Sequence, residues 1–357
     1  MSENFRLLSL NPIDSSYYRN SNLYRTNKKD IDLGVYAPNL DAESLFINHT
    51  HESIDFLSHI VTNNYEISKK FISREIKMFT KLDHLIVAVK DLEEAENNYK
   101  KLFGIAPVWR GKHKDLGTTN SLFNFENIYL ELLSSSGNGI GADRVEQHLL
   151  ENGEGLMGMV FATENINSLR HSLKEEGFLV GESTSGQGIN TSDQQIRKWK
   201  NFFLPYELTR GIFSFVIEHT DGNLPQSKEL NDSSPHKLDH VVINTNDADG
   251  FIKIYKDTFN IRLALDRVIE HWQKRMLFFR LNQTTIEVIE QEDDLPPSDQ
   301  MWGLAWEVKD IEKAHERMTA EGIEITPIQK GVKEKTLVAT IKSHNHNVPT
   351  LLIQHLD

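Results

Sequence analysis

The sequence predicts an α+β protein built from four strand–helix–strand modules arranged in two pairs. Three observations carry this. First, Leu82-Asp83-His84-Leu85-Ile86-Val87 recurs as Leu238-Asp239-His240-Val241-Val242-Ile243, an offset of 156 positions. The same offset carries Asp91 onto Asp247, Tyr99 onto Tyr255, Phe103 onto Phe259, and Leu130-Glu131-Leu132 onto Ile286-Glu287-Val288. A register kept without a gap over about fifty residues marks two copies of one unit. Second, each copy reads as a strand, a helix and three strands. Third, a shorter unit of the same kind follows each copy, giving four βαβββ modules.

In order along the chain, LDHLIVAV alternates too little for a one-sided surface strand and reads as a buried one. Asp91 with Glu94 three residues on is a capping-box-like helix start, and Leu92, Ala95, Tyr99, Leu102 and Phe103 keep helical spacing over LEEAENNYKKLFGI. Strands follow around 106–110, 120–125 and 128–133, matched in the second copy around 262–268, 275–281 and 285–289. The second module opens with the strand GLMGMVFAT, and Asn165 caps the helix INSLRHSLKEEGF. Residues 184–195 read as a loop, and the module ends in GIFSFVIE. The fourth opens with MWGLAWEV, where Trp302 and Trp306 stand an even number of residues apart and so share a face. Asp310 caps IEKAHERMTAEGI, Ser343-His344-Asn345-His346 reads as a polar hairpin tip with solvated histidines, and the chain ends in TLLIQ. Expected boundaries are 1–79 for an N-terminal extension, 80–222 for the first pair, 223–237 for a linker and 238–357 for the second pair. The extension has helical periodicity through Leu45, Ile54, Leu57, Val61 and Ile72, and carries His49 and His51.

Composition narrows the class. With 38% hydrophobic and 25% charged residues in 357, the chain can bury more than one core. It has no cysteine, which removes disulfides, thiolate metal sites and cysteine nucleophiles and suits an intracellular protein. A net charge of -13 disfavours nucleic acid and anionic membranes as partners. No run reaches the eighteen or so apolar residues a membrane span needs, and the start MSENFRLLSL lacks the features of a signal peptide. The expectation is a cytoplasmic protein.

The openings LDHLIVAVKDLEEAENNYKKLFGI and LDHVVINTNDADGFIKIYKDTFNI and the strand endings YLELL and TIEVIE resemble the vicinal oxygen chelate superfamily of glyoxalase I, bleomycin-resistance proteins, fosfomycin-resistance enzymes and extradiol dioxygenases. A further likeness is to an uncharacterised subgroup of two-domain glyoxalase-like proteins with a G-x-H, G-T-x-N, Y-L-E-L pattern: here Gly111-Lys112-His113, Gly117-Thr118-Thr119-Asn120 and Tyr129-Leu130-Glu131-Leu132. The second copy has Ile269 in place of His113 and Met276 in place of Asn120. The resemblance covers roughly 80–357. It implies two tandem glyoxalase-like domains with open, cleft-forming mixed sheets, as single domains or by exchange in a homodimer.

By the same resemblance, metal positions fall on His84, Glu131, Gly158 and Glu218 in the first domain, and on His240, Glu287, Gly303 and Gln354 in the second. Two histidines and a carboxylate are what an extradiol dioxygenase needs, and the second domain lacks them, so ring cleavage is disfavoured. His84, Glu131 and Glu218 could hold a divalent ion (Mn, Fe, Ni, Mg or Zn) with water completing the shell; alternatively His84 and Glu131 form a hydrogen-bonded pair without metal. No organic cofactor is indicated.

Three functions remain open. One is an enzyme on a small oxygen-rich molecule, an isomerase, lyase or transferase working through an enolate or oxyanion. In it Glu131 and His113 act catalytically, while Thr118, Asn120, Trp109 and Tyr129 contact the substrate. Another is a metal-free protein that binds a small molecule, as bleomycin-resistance proteins do. The third is an interaction protein. His219 and His355, one step beyond Glu218 and Gln354, are expected on the opposite, surface side.

Overall fold

The computed structural model describes residues 78–356 apart from positions 229, 271, 293 and 294, together with two paired dipeptides at Tyr24–Arg25 and Asp32–Leu33. The helical periodicity expected within 41–79 and the His49/His51 pair lie outside the described residues, save for Met78 and Phe79.

The first copy folds as β1 (Lys81–Ala88), α1 (Leu92–Phe103), β2 (Trp109–His113), β3 (Thr118–Asn124) and β4 (Tyr129–Ser135). Its companion module has α2 (Ile140–Asn152), β5 (Gly155–Ala162), α3 (Ile166–Glu175), β6 (Thr184–Ile189), β7 (Ile196–Phe203) and β8 (Phe213–Asp221). The second copy comprises β9 (Pro235–Thr245), α4 (Ala248–Ile252), β10 (Arg262–Ile269), β11 (Lys274–Leu281) and β12 (Thr284–Glu290). The fourth module is β13 (Asp299–Val308), α5 (Ile311–Ala320), β14 (Gln329–Lys330), β15 (Thr336–Ile341) and β16 (Thr350–His355). Strand β9 thus begins inside the stretch expected as linker.

Each pair of modules makes one eight-stranded sheet. The orders are β2-β3-β4-β1-β5-β8-β7-β6 and β10-β11-β12-β9-β13-β16-β15-β14. Within a module the first strand lies parallel to the last. Two modules join where their first strands, β1 with β5 and β9 with β13, pair antiparallel. The fold is therefore α+β, with two tandem glyoxalase-like sheets.

Local chemistry sets the helices. Asp91 accepts from the amides of Glu93 and Glu94 at 2.9 and 3.0 Å, and α1 ends where Gly104 turns to φ +67, a left-handed stop that glycine adopts freely. The apolar stripe of α1, Ala95, Tyr99, Leu102 and Phe103, enters a core shared by both sheets. Phe103 lies 5.1 Å from Trp306 of β13, and Phe79 stacks on Phe161 at 4.6 Å and meets Phe259 at 5.1 Å. Asn127 closes the seam by donating to the Leu238 carbonyl at 2.8 Å and accepting from the Leu238 amide at 3.0 Å.

Four expectations are corrected. Residues 184–189 form strand β6 rather than loop, because Gly186 and Gly188 allow the Trp199 ring of β7 to lie against the strand. The first strand after α1 starts at Trp109, three residues later than expected. Trp302 and Trp306 do not share a face. A register shift in β13 beside β9 breaks the alternation, leaving Trp302 half-exposed and Trp306 buried against Phe125. His346 is not solvated: its Nδ1 donates to Glu154 at 2.9 Å, and Asn98 donates to its Nε2 at 3.1 Å, which docks the β15–β16 turn onto the first module pair.

Candidate functional site

The site begins at a bulge. Along β1, Leu82 pairs with Phe161 but His84 pairs with Val160, so Asp83 is the extra residue. Such a bulge re-aims side chains, and here it places Asp83 and His84 in one network although they are adjacent. His84 Nδ1 donates to Asp83 at 2.9 Å, and its Nε2 stands 3.4 Å from Glu131 of β4. Asn120 of β3 donates to the other Glu131 oxygen at 2.6 Å. From β8, His219 Nε2 lies 3.1 and 3.2 Å from the two Asp83 oxygens. Tyr129 stacks on the His84 ring at 4.4 Å, and Phe215 meets it edge-on at 5.7 Å.

The neighbours expected around this centre share its concave face. Trp109, Tyr129 and Leu122 form a small buried cluster. His113 bonds Thr118 Oγ1 through Nδ1 at 3.0 Å and faces Trp199 edge-on at 6.2 Å. The outer strands also approach: Gly111 of β2 bridges Asn190 beyond β6, and the Thr191 amide donates to the Arg110 carbonyl at 2.8 Å. This edge contact curls the first sheet and shields its interior, where His84 is 2% and Glu131 7% exposed.

Burial and charge oppose each other here. Burial alone would keep His84 neutral, but the Asp83 and Glu131 carboxylates override it and hold its pKa above the usual histidine value. Burial pushes Asp83 and Glu131 up, yet hydrogen bonds and charge from His219 and His84 on one, and from His84, His113 and Asn120 on the other, keep both below the carboxylate norm. The result is an imidazolium between two carboxylates. His113 differs: burial lowers its pKa, Glu131 offsetting only part of this, so it is the neutral imidazole of the site.

The second sheet repeats the framework with weaker parts. Asp239 is again the bulged residue, bonded by His240 Nδ1 and His355 Nε2, each at 2.7 Å. His240 Nε2 is 3.7 Å from Glu287, which has no counterpart of the Asn120 bond. Burial raises the Glu287 pKa despite the His240 charge, the reverse of Glu131. Met276 at the Asn120 position removes the donor that would hold that carboxylate ionised.

Glu218 and Gln354 are not brought into these centres. Glu218 accepts from the Ile166 amide at 2.8 Å and Gln354 from the Ile311 amide at 3.0 Å, so each caps a helix on the convex side. On β8 it is Phe213, Phe215 and Ile217 that join the concave-side cluster, and His219 follows in that alternation. His219 and His355 lie opposite Glu218 and Gln354, as expected, and His219 is exposed, but that side carries the site: they, not Glu218 and Gln354, bond the central aspartates. Gly158 and Gly303 also have packing reasons to be glycine. A Cβ there would stand 2.6 Å from the Phe213 carbonyl oxygen or 2.7 Å from that of Pro349.

These placements test the metal expectation. Catalytic metal sites use three protein ligands, and of the positions implied by resemblance the first sheet brings only His84 and Glu131 together. The donor set there does not fit a resident ion. In the second sheet, donor atoms of Asp239, Glu307 and His355 lie within 4.8 Å of one another, but Lys237 Nζ occupies Glu307 at 2.9 Å and both Asp239 oxygens take imidazole bonds.

Comparison with known proteins agrees with this architecture. Residues 82–259 match the family described as glyoxalase-like domain, and 239–340 match the glyoxalase/bleomycin resistance protein/dioxygenase superfamily. The chain belongs to the vicinal oxygen chelate superfamily. No curated protein matches it. Among solved structures, this vicinal oxygen chelate protein is similar to a mutant 4-hydroxymandelate synthase from Streptomyces coelicolor (14% identity, 77% of this chain and 92% of that one, TM-score 0.54). It is also similar to a Mn(II)-bound glyoxalase from Novosphingobium aromaticivorans (16%, 78% and 83%, 0.53) and to a hypothetical protein from Staphylococcus aureus (13%, 78% and 99%, 0.53). At these identities the likeness concerns the fold.

Sequence reasoning missed Asp83, Asp239, His219 and His355. A signal was present: both copies keep Asp before His in the first strand, and both last strands carry a histidine directly after Glu218 or Gln354, two positions that themselves differ.

Proposed function

We propose that the concave face of the first sheet is an active site for proton transfer on a small carbonyl-bearing molecule, the chemistry of an isomerase or lyase that passes through an enolate. The carrying observation is the His84 imidazolium held between Asp83 and Glu131 inside an aromatic-walled interior. Glu131 is the base: ionised and fixed by Asn120, it takes the proton from carbon. The electron pair released moves onto the carbonyl oxygen, and His84 Nε2–H, only loosely engaged at 3.4 Å, hydrogen-bonds the developing oxyanion. Asp83 fixes the ring orientation, a role in which His219 supports it. His113 and Thr118 orient the substrate, and Trp109 and Tyr129 wall it. Exclusion of water strengthens each of these interactions. No step is assigned to a metal, since the donor set supplies two ligands. The second sheet, with its carboxylate pushed towards the neutral acid and no Asn120 equivalent, plays no catalytic part in this reading.

The test is exchange in heavy water. Across a panel of small 2-oxo and 2-hydroxy compounds, the wild-type protein should exchange the hydrogen beside the carbonyl in at least one, and His84→Gln should slow that exchange about a hundredfold. No exchange on any compound would overturn the enzymatic reading and leave a small-molecule binding protein.

A further inference from the structure

Arg197 of β7 is buried, at 6% exposure. Its guanidinium carbon stands 5.6 Å from the centre of the Trp109 ring and 5.4 Å from that of Tyr129, on the concave side of the first sheet. Among the described residues no carboxylate forms an ion pair with it, and its Nε is buried without a hydrogen-bond partner. Buried arginines are almost always paired, because an uncompensated charge in a low-dielectric interior is strongly unfavourable. Two aromatic faces stabilise a cation, and the Tyr129 hydroxyl interacts with the guanidinium, but the Nε–H is left without a partner.

Its position relates it to the catalytic centre. Arg197 and His84 share the Tyr129 ring as a neighbour: the guanidinium carbon is 5.4 Å from its centre, and the His84 imidazole stacks on it at 4.4 Å. One aromatic ring therefore borders both Arg197 and the His84–Glu131 centre. The residue also sits where a backbone approach favours it: opposite Gly188 in the β6–β7 pairing, with the Gly222 backbone packed close to its side chain.

We propose that Arg197 is a substrate-binding residue whose missing counter-charge is a carboxylate on the substrate, so that the site takes a small mono-carboxylate that also carries the reacting carbonyl. This rests on the proton-transfer reading above. The planar Nε/Nη edge matches the two oxygens of a carboxylate. A single guanidinium neutralises one negative charge. The Asp83 and Glu131 carboxylates on the same face disfavour a dianion such as a phosphate monoester. The aromatic walls of Trp109, Tyr129 and Trp199 suit an arene or other flat apolar body on the same molecule.

The experiment is calorimetric titration of the full chain with phenylpyruvate, with benzyl methyl ketone, which has the same body without the carboxylate, and with inorganic phosphate. Wild type should bind phenylpyruvate at least tenfold more tightly than the ketone or phosphate. Arg197→Gln should lose at least tenfold for phenylpyruvate and nothing for the ketone, while Arg197→Lys should recover part of the loss. Should Arg197→Gln not fold, Arg197→Lys alone must still narrow the difference between phenylpyruvate and ketone. Equal binding of acid and ketone by wild type, undiminished binding of phenylpyruvate by the arginine variants, or tighter binding of phosphate would each overturn the proposal. Those results leave the exchange assay on His84→Gln untouched, so the two readings can fail separately.

Discussion

Replacing Asn120 with methionine would carry the second sheet's residue into the first. Glu131 would lose the 2.6 Å bond that helps keep it ionised, so its pKa should rise towards the behaviour of Glu287 and the acid limb of the pH–rate profile should move to higher pH. An unmoved limb would remove Asn120 from the mechanism. Catalysis needs Glu131 ionised and His84 charged. The Glu131 pKa lies below its ordinary 4.5 and that of His84 above its ordinary 6.5, so the rate should hold between these values and fall as pH rises through the raised His84 pKa. At this scale the sequence was informative about identity more than direction. His84 and Glu131 were readable from LDH and YLEL. The face of Glu218 was not, because one residue of register decides it, and Asp83 was hidden because a bulge leaves no mark on apolar periodicity.

Strands and helices carry constraints of their own. Gly158 can be tested as a packing position. Gly158→Ala should cost about 1–3 kcal/mol in denaturant unfolding, because its Cβ would press on the Phe213 carbonyl, and a neutral result would contradict that account. Helix α1 is tied to its sheet through Glu96, a buried carboxylate bonded by Arg110 of β2, by Ser121 of β3 at 2.7 Å and by Lys100 at 2.6 Å. Burial pushes its pKa up, but these donors bring it down to about 2. A depressed folded-state pKa stabilises above the unfolded value near 4.5, and the contribution is lost as pH falls through the interval to about 2. Glu96→Gln should therefore lower the melting temperature at pH 7 and narrow its gap to wild type as pH approaches 2. A constant gap would refute the linkage. Helices α1, α3 and α5 were legible because Asp91, Asn165 and Asp310 cap them, whereas α2, which starts at Gly139 without a side-chain cap, was not. Strand β6 was not, because its glycines and polar residues read as a loop until Trp199 is seen packed across them.

Across residues 78–356 the two sheets behave as one packed body. Their cores are continuous, and two arginines cross between them. Arg210 bonds Asp299 through Nε at 2.9 Å and Asp247 through Nη1 at 2.7 Å, and Arg317 donates to the backbone carbonyls of Lys101 and Leu102. Arg210→Met leaves Asp299 buried and unpaired, so it should cost about 3–5 kcal/mol and destabilise both sheets in a single transition. Separate transitions for Trp109 and Trp306 environments would contradict the shared core. The repeat made two sheets legible. Their union was not, since the contacts of Phe103 with Trp306 and of Asn127 with Leu238 join residues that no local pattern relates.

The near-symmetry of the two sheets supplies the most direct test of the central claim, that the first alone does chemistry. On the best compound of the panel, exchange rates of wild type, Glu131→Gln and Glu287→Gln should be compared in one experiment. The account predicts about a hundredfold loss for Glu131→Gln and a rate within about twofold of wild type for Glu287→Gln. A loss confined to Glu287→Gln, or equal losses in both, would contradict it.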